Sequence, residues 1–199
     1  MVNALDLWKT KTEIWRERFC KPLLRNTNFH PHTITTLRLF LALGFPLLII
    51  SYSVIAWILI SLSIILDGFD GTVARYNNIA TDRGKFIDVL ADQITFTLLC
   101  LGLIRLLPEF SLILATCSIF IPLAYLMTMV YKNEKKPSDW LLRPQATLTV
   151  YKIIFIVIII SYLFNILPYT VIQVALWLES IVAALHFYWN YDHFVKINT

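Results

Sequence analysis

Residues 67–92 read DGFDGTVARYNNIATDRGKFIDVLAD, and they lie between two long apolar stretches. Asp67, Asp70, Gly71, Ala74 and Arg75 fall at i, i+3, i+4, i+7 and i+8, which is one face of a helix. Gly84, Asp88 and Asp92 fall at i, i+4 and i+8, again one face. The spacing therefore predicts that the second apolar segment ends, and the third begins, with a helical face carrying acids. If the hairpin closes with those faces together, four carboxylates converge at the edge of a helical bundle. Such a cluster is costly, because an acid near a membrane core costs roughly 2.5–3.5 kcal/mol before mutual repulsion is counted. The nearby Arg75 cannot offset four charges, whereas divalent cations can. A set of carboxylate oxygens suits Mg²⁺ or Mn²⁺ rather than zinc or copper. Four acids suffice for two ions about 3.5–4 Å apart, the arrangement that clamps phosphoryl oxygens. Gly71 and Gly84 leave room for a ligand to approach the backbone, and Arg75 offers a fork of donors to phosphate.

Working outward, the chain is apolar almost throughout. It is 58% hydrophobic and 15% charged over 199 residues, with a mean hydropathy of +0.67. Soluble domains run near 45–50% apolar and 25% charged. Six apolar stretches near residues 33–51, 54–74, 85–106, 110–131, 146–166 and 169–191 are each about long enough to cross a bilayer core as a helix. The breaks Ser51-Tyr52-Ser53, Leu107-Pro108-Glu109 and Ile166-Leu167-Pro168 are short, which implies antiparallel neighbours. The expected fold is all-α: six transmembrane helices in residues 31–199, preceded by a juxtamembrane segment at 1–30. In that segment Leu5, Trp8, Thr12, Trp15 and Phe19 recur at spacings of three and four, with Lys9, Glu13, Arg16 and Glu17 on the other side. The pattern is that of an amphipathic helix lying in the membrane interface, or packed on protein.

Charge gives an orientation. Six spans place the N-terminus, the second–third link, the fourth–fifth link and the C-terminus on one side. Lys9, Lys11, Arg16, Arg18, Lys21, Arg25, Arg75, Arg83, Lys85, Lys132, Lys135, Lys136, Arg143 and Lys196 all lie there, against Arg105 opposite. By the positive-inside rule that side is cytoplasmic, and it holds both termini and the acid cluster. The net charge of +4 is spread over segment ends and forms no patch for nucleic acid. Three separated cysteines, with no C-x-x-C pair, argue against a disulfide framework or a thiolate metal site.

The pattern D-x2-D-G-x2-A-R-x8-G-x3-D-x3-D resembles the signature of the CDP-alcohol phosphatidyltransferases, and all eight fixed positions are met. The resemblance implies that Asp67, Asp70, Asp88 and Asp92 bind a pair of Mg²⁺ or Mn²⁺ ions, with Asp92 also the general base. Gly71, Ala74, Arg75, Thr81 and Gly84 would line the cleft for the cytidine diphosphate part of the donor. The implied reaction is attack by an alcohol hydroxyl on the lipid-bearing phosphorus of CDP-diacylglycerol, with CMP leaving. The expected partners are CDP-diacylglycerol, a small polar alcohol, membrane lipid and a second copy of the chain, without nucleic acid.

Three positions depart from the family pattern. Gln93 stands where many relatives using glycerol 3-phosphate have Lys. Pro31-His32-Thr33-Ile34-Thr35 replaces the usual P-N-x-[IL]-T, and Arg143-Pro144-Gln145-Ala146-Thr147 stands in place of a basic G-K-x-x-T stretch. Glycerol 3-phosphate leads as acceptor, ahead of inositol (or its phosphate) and serine. Its phosphate would be met by Lys135, Arg143 and Lys152. Lys152 could also pair with Glu179, an acid within the last segment. Arg38, in the second turn of the first segment, could balance the acids, touch phosphate or reach to the surface. A divalent-cation transporter using the same acids is the rival from another class. Against it, the acids lie at one end of the segments and no internal repeat is visible.

Overall fold

The computed structural model describes residues 31–76, 81–134 and 144–198. The expected interfacial helix at 1–30 lies outside them. Among the described residues there are six α-helices: α1 (Pro31–Leu48), α2 (Ser53–Tyr76), α3 (Asp82–Leu106), α4 (Ser111–Glu134), α5 (Pro144–Leu163) and α6 (Tyr169–Asn198). A 3-10 turn at Pro108–Phe110 leads into α4. No strand occurs among the described residues, and the six helices match the six apolar segments. Three stretches, Phe86–Leu106, Pro108–Met129 and Tyr169–Lys196, are long and apolar enough to cross a membrane. The apolar runs of the other helices are shorter: His32–Leu48, Ser53–Asp67 and Tyr151–Leu163. In α2 the reason is plain, since the helix continues for a further two turns as the acidic motif.

The chain divides into two compact units, Met1–Thr95 and Phe96–Thr199, with the division inside α3. In the first unit α1 packs along α2. Thr35, Arg38, Ala42, Phe45 and Ile49 are the buried positions of α1, spaced three and four apart. Ala56, Ile60 and Ser63 are buried at the same spacing on α2. Phe45 meets Trp57 edge-on, with ring centroids 5.0 Å apart. A Cβ at Gly44 would come within 2.6 Å of Leu59 Cδ1, the movable end of a side chain on the facing helix. The opposite faces expose Leu37, Phe40, Leu47, Ile58, Leu62 and Ile65.

In the second unit α4 packs against both α5 and α6, and α5 against α6. Ile113, Leu114, Cys117, Ile121 and Ala124 of α4 are buried, as are Phe155, Ile158 and Ile159 of α5 and Ile172, Leu176 and Ala183 of α6. Phe110 stands between Tyr162 and Tyr169, each with its ring centroid 4.9 Å away. The end of α5 is closed by paired backbone bonds, Asn165 N–H to the Tyr162 carbonyl and Ile166 N–H to the Ser161 carbonyl. Asn165 takes the left-handed conformation, φ 52°, that this C-terminal cap requires.

Candidate active site

Helix α2 carries Asp67 and helix α3 carries Asp88 and Asp92, one turn apart. One oxygen from each of these three carboxylates lies within 4.8 Å of the others. Between them is the guanidinium of Arg38 from α1. Its Nη2 donates to Asp92 Oδ1 at 2.7 Å and to the backbone carbonyl of Asp88 at 3.0 Å. Asp88 Oδ1 is 3.5 Å from the same nitrogen, and Nη1 forms an ion pair with Asp67 Oδ1. Arg38 is 1% exposed, whereas the side chains of Asp67, Asp88 and Asp92 are 42%, 39% and 28% exposed. The arginine is thus buried beneath carboxylates that open outward. Ser63 of α2 donates to the Arg38 carbonyl at 2.9 Å, which fixes α1 to α2 at the level of the site.

The expectation that Arg75 would be the arginine near the acids needs enlarging. Arg38 pairs with three of them, and of its possible roles the surface-reaching one is excluded by its burial. Asp70, Gly71, Ala74 and Arg75 belong to α2, on the same helix as Asp67; their side chains lie outside the described set. Thr81 immediately precedes α3 and is its N-cap: the Gly84 N–H donates to Thr81 Oγ1 at 3.0 Å. A Cβ on Gly84 would lie 3.2 Å from that hydroxyl, so the glycine leaves room for the cap. Gln93 is buried and turns back along its own helix, Nε2 reaching the Val89 carbonyl at 3.4 Å.

Of the acceptor candidates, Lys135 and Arg143 lie outside the described residues. Lys152 is half-buried in the second unit, its Nζ 5.7 Å from the Phe96 ring centroid and 5.4 Å from that of Tyr125. The expected pairing with Glu179 is not formed. Both oxygens of that buried carboxylate lack a hydrogen-bond partner. His186, to which the sequence assigned nothing, lies 3.3 Å from the Tyr151 hydroxyl through Nδ1 and 3.4 Å from Thr128 Oγ1 through Nε2. Asn190 Nδ2 donates to the same Thr128 hydroxyl at 3.1 Å. The available signal was that Glu179, Ala183, His186 and Asn190 share one face of α6 at i, i+4, i+7 and i+11.

Carboxylates alone, without His or Cys, fit a hard divalent cation such as Mg²⁺ or Mn²⁺. The CDP-alcohol phosphatidyltransferase family model matches residues 28–186. The chain belongs to that family of transferases, whose reaction passes a phosphatidyl group from a CDP-alcohol to an acceptor. No individual curated protein and no solved structure matches the chain.

Proposed function

We propose that the protein is a multi-pass membrane phosphatidyltransferase that takes its donor group from CDP-diacylglycerol and releases CMP. The observation that carries this reading is the convergence of Asp67, Asp88 and Asp92, from two helices, on one outward-opening cluster. Asp67, Asp70, Asp88 and Asp92 would hold two Mg²⁺ or Mn²⁺ ions. When bound, these ions supply charge stabilisation to the diphosphate and to the departing CMP. Arg75, with Gly71, Ala74, Thr81 and Gly84 nearby in sequence, is assigned to the cytidine diphosphate moiety. Asp92 is assigned the proton of the acceptor hydroxyl. Arg38 holds Asp92 through Oδ1, and the second carboxylate oxygen is the one that would receive this proton. The acceptor oxygen then bonds to the lipid-bearing phosphorus as the bond from that phosphorus to the CMP oxygen breaks.

Exposed Leu, Ile, Phe and Val on the outer helix faces support a lipid environment. With the basic residues inside, the acid cluster and both termini face the cytoplasm. We assign glycerol 3-phosphate as the acceptor, its phosphate met by Lys152, Arg143 and Lys135. The buried Gln93 favours one second reading, a neutral or zwitterionic acceptor such as inositol or serine, because no positive charge stands at that position. The test is purified protein with CDP-diacylglycerol, Mg²⁺ or Mn²⁺ and a panel of acceptors, following CMP. Glycerol 3-phosphate should release it fastest, and a chelator should stop release. CMP release fastest with serine or inositol would refute the acceptor, and no release with any acceptor would refute the donor.

A further inference from the structure

The pairing of Arg38 with the acids bears on the metal-free protein. Three carboxylates whose oxygens lie within 4.8 Å of one another repel, and the water on their open side screens this only in part. An arginine cannot relieve this by losing its proton, so it stays a full positive charge at any ordinary pH. Its fork also reaches several oxygens at once, and the Asp92, Asp88 and Asp67 contacts use both terminal nitrogens. The guanidinium therefore engages carboxylate oxygens of the same cluster that a divalent ion would use.

We propose that Arg38 is the resident counter-cation of this site: it holds Asp67, Asp88 and Asp92 together in the metal-free protein, and competes with the divalent ion for their oxygens. This rests on the metal-binding reading of the acid cluster. Arg38 is a positioning residue here, acting on the substrate only through the three aspartates. Two cations that share one anionic cluster oppose each other, so stability without metal is obtained at the expense of metal affinity. Removing the charge should weaken the metal-free protein and tighten the ion. A residue that merely packed α1 against α2 would lower stability with and without metal alike.

The experiment uses the full chain in detergent, as wild type, Arg38→Lys and Arg38→Gln. Thermal unfolding is followed with and without Mn²⁺, and Mn²⁺ binding by the spin-resonance signal of the free ion. The metal-free Tm should fall in the order Arg, Lys, Gln. Affinity for Mn²⁺ should run the other way, with Arg38→Gln binding about tenfold or more tightly than wild type. The Tm rise on adding Mn²⁺ should then be largest for Arg38→Gln, since only the folded site binds the ion. Arg38→Lys keeps the charge but not the fork, so it frees some carboxylate oxygens and should bind Mn²⁺ more tightly than wild type, though less tightly than Arg38→Gln. Should Arg38→Gln not fold, Arg38→Lys decides alone: a lower metal-free Tm together with tighter Mn²⁺ binding is the expected result. Affinity that falls or stays flat across the series, with equal Tm losses in both states, overturns the counter-cation role and leaves the metal reading standing. A wild-type protein that binds no Mn²⁺ overturns both.

Discussion

At the scale of single residues, the acids were legible because their spacing is a local property. Asp88 and Asp92 stand one turn apart on α3, Asp67 belongs to the acidic face that ends α2, and the structure brings the three together. Arg38 was visible only as a charge in an apolar segment, because its contacts with Asp88 and Asp92 span 50 and 54 residues of chain. Periodicity along one helix does not reveal what a second helix presents to it. The same limit explains the missing Lys152–Glu179 pair. Each lies inside an apolar helix, but the rotation of α5 and α6 about their axes is set by packing, and it aims Lys152 over aromatic rings. The assigned roles predict different losses. Asp92→Asn should abolish CMP release while keeping much of the donor binding, since the proton acceptor goes and only part of the metal shell goes with it. Asp67→Ala should impair metal and donor binding together. Binding of a CDP-lipid analogue, measured beside turnover, separates the two, and a fully active Asp92→Asn protein refutes the base assignment.

At the scale of helices, the segment boundaries followed from polar and proline breaks, and α2 continues to Tyr76 because its acids keep the helical period beyond the apolar run. What the sequence did not show was how closely the helices pack or how they begin. Without a G-x-x-x-G pair, Gly44 carried no signal of helix association, although it lies against Leu59. Gly44→Ala should be nearly neutral, because the atom it meets is the end of a half-exposed leucine that can turn, and alanine favours the helix. Gly44→Leu cannot be accommodated in that way and should cost about 1–3 kcal/mol, with activity falling as α1 carries Arg38 away from the acids. Thr81 had been assigned to the donor cleft, and its observed contact is the cap of α3. Thr81→Ala should therefore lower stability by about 1 kcal/mol, while Thr81→Ser retains it. A stability change absent from Thr81→Ala would place the residue's importance in the ligand instead.

At the scale of the whole molecule, the apolar composition and the side on which the basic residues gather carry an orientation that distances within the protein cannot supply. The six helices put Asn133 at the end of α4 and Ser53 at the start of α2. With lysines and arginines on the inner side, a single cysteine at Asn133 should react with a membrane-impermeant thiol reagent from the cytoplasm, and one at Ser53 from the opposite face. The background is favourable, because Cys100 and Cys117 are buried and only Cys20 needs replacing in advance. The outcome bears directly on function. The proposed donor, a CDP-lipid, has a large, charged cytidine diphosphate head that cannot pass through the bilayer core, so this reading requires the acids to face the compartment where it is made. Asp67 is near the inner end of α2 in this orientation, and Asp88 near the inner start of α3. Reagent reaching Asn133 only from outside would reverse the orientation and turn the acid cluster away from its donor. Reaction of both positions from one face would show instead that α2, the shorter apolar helix among the three that separate them, does not cross.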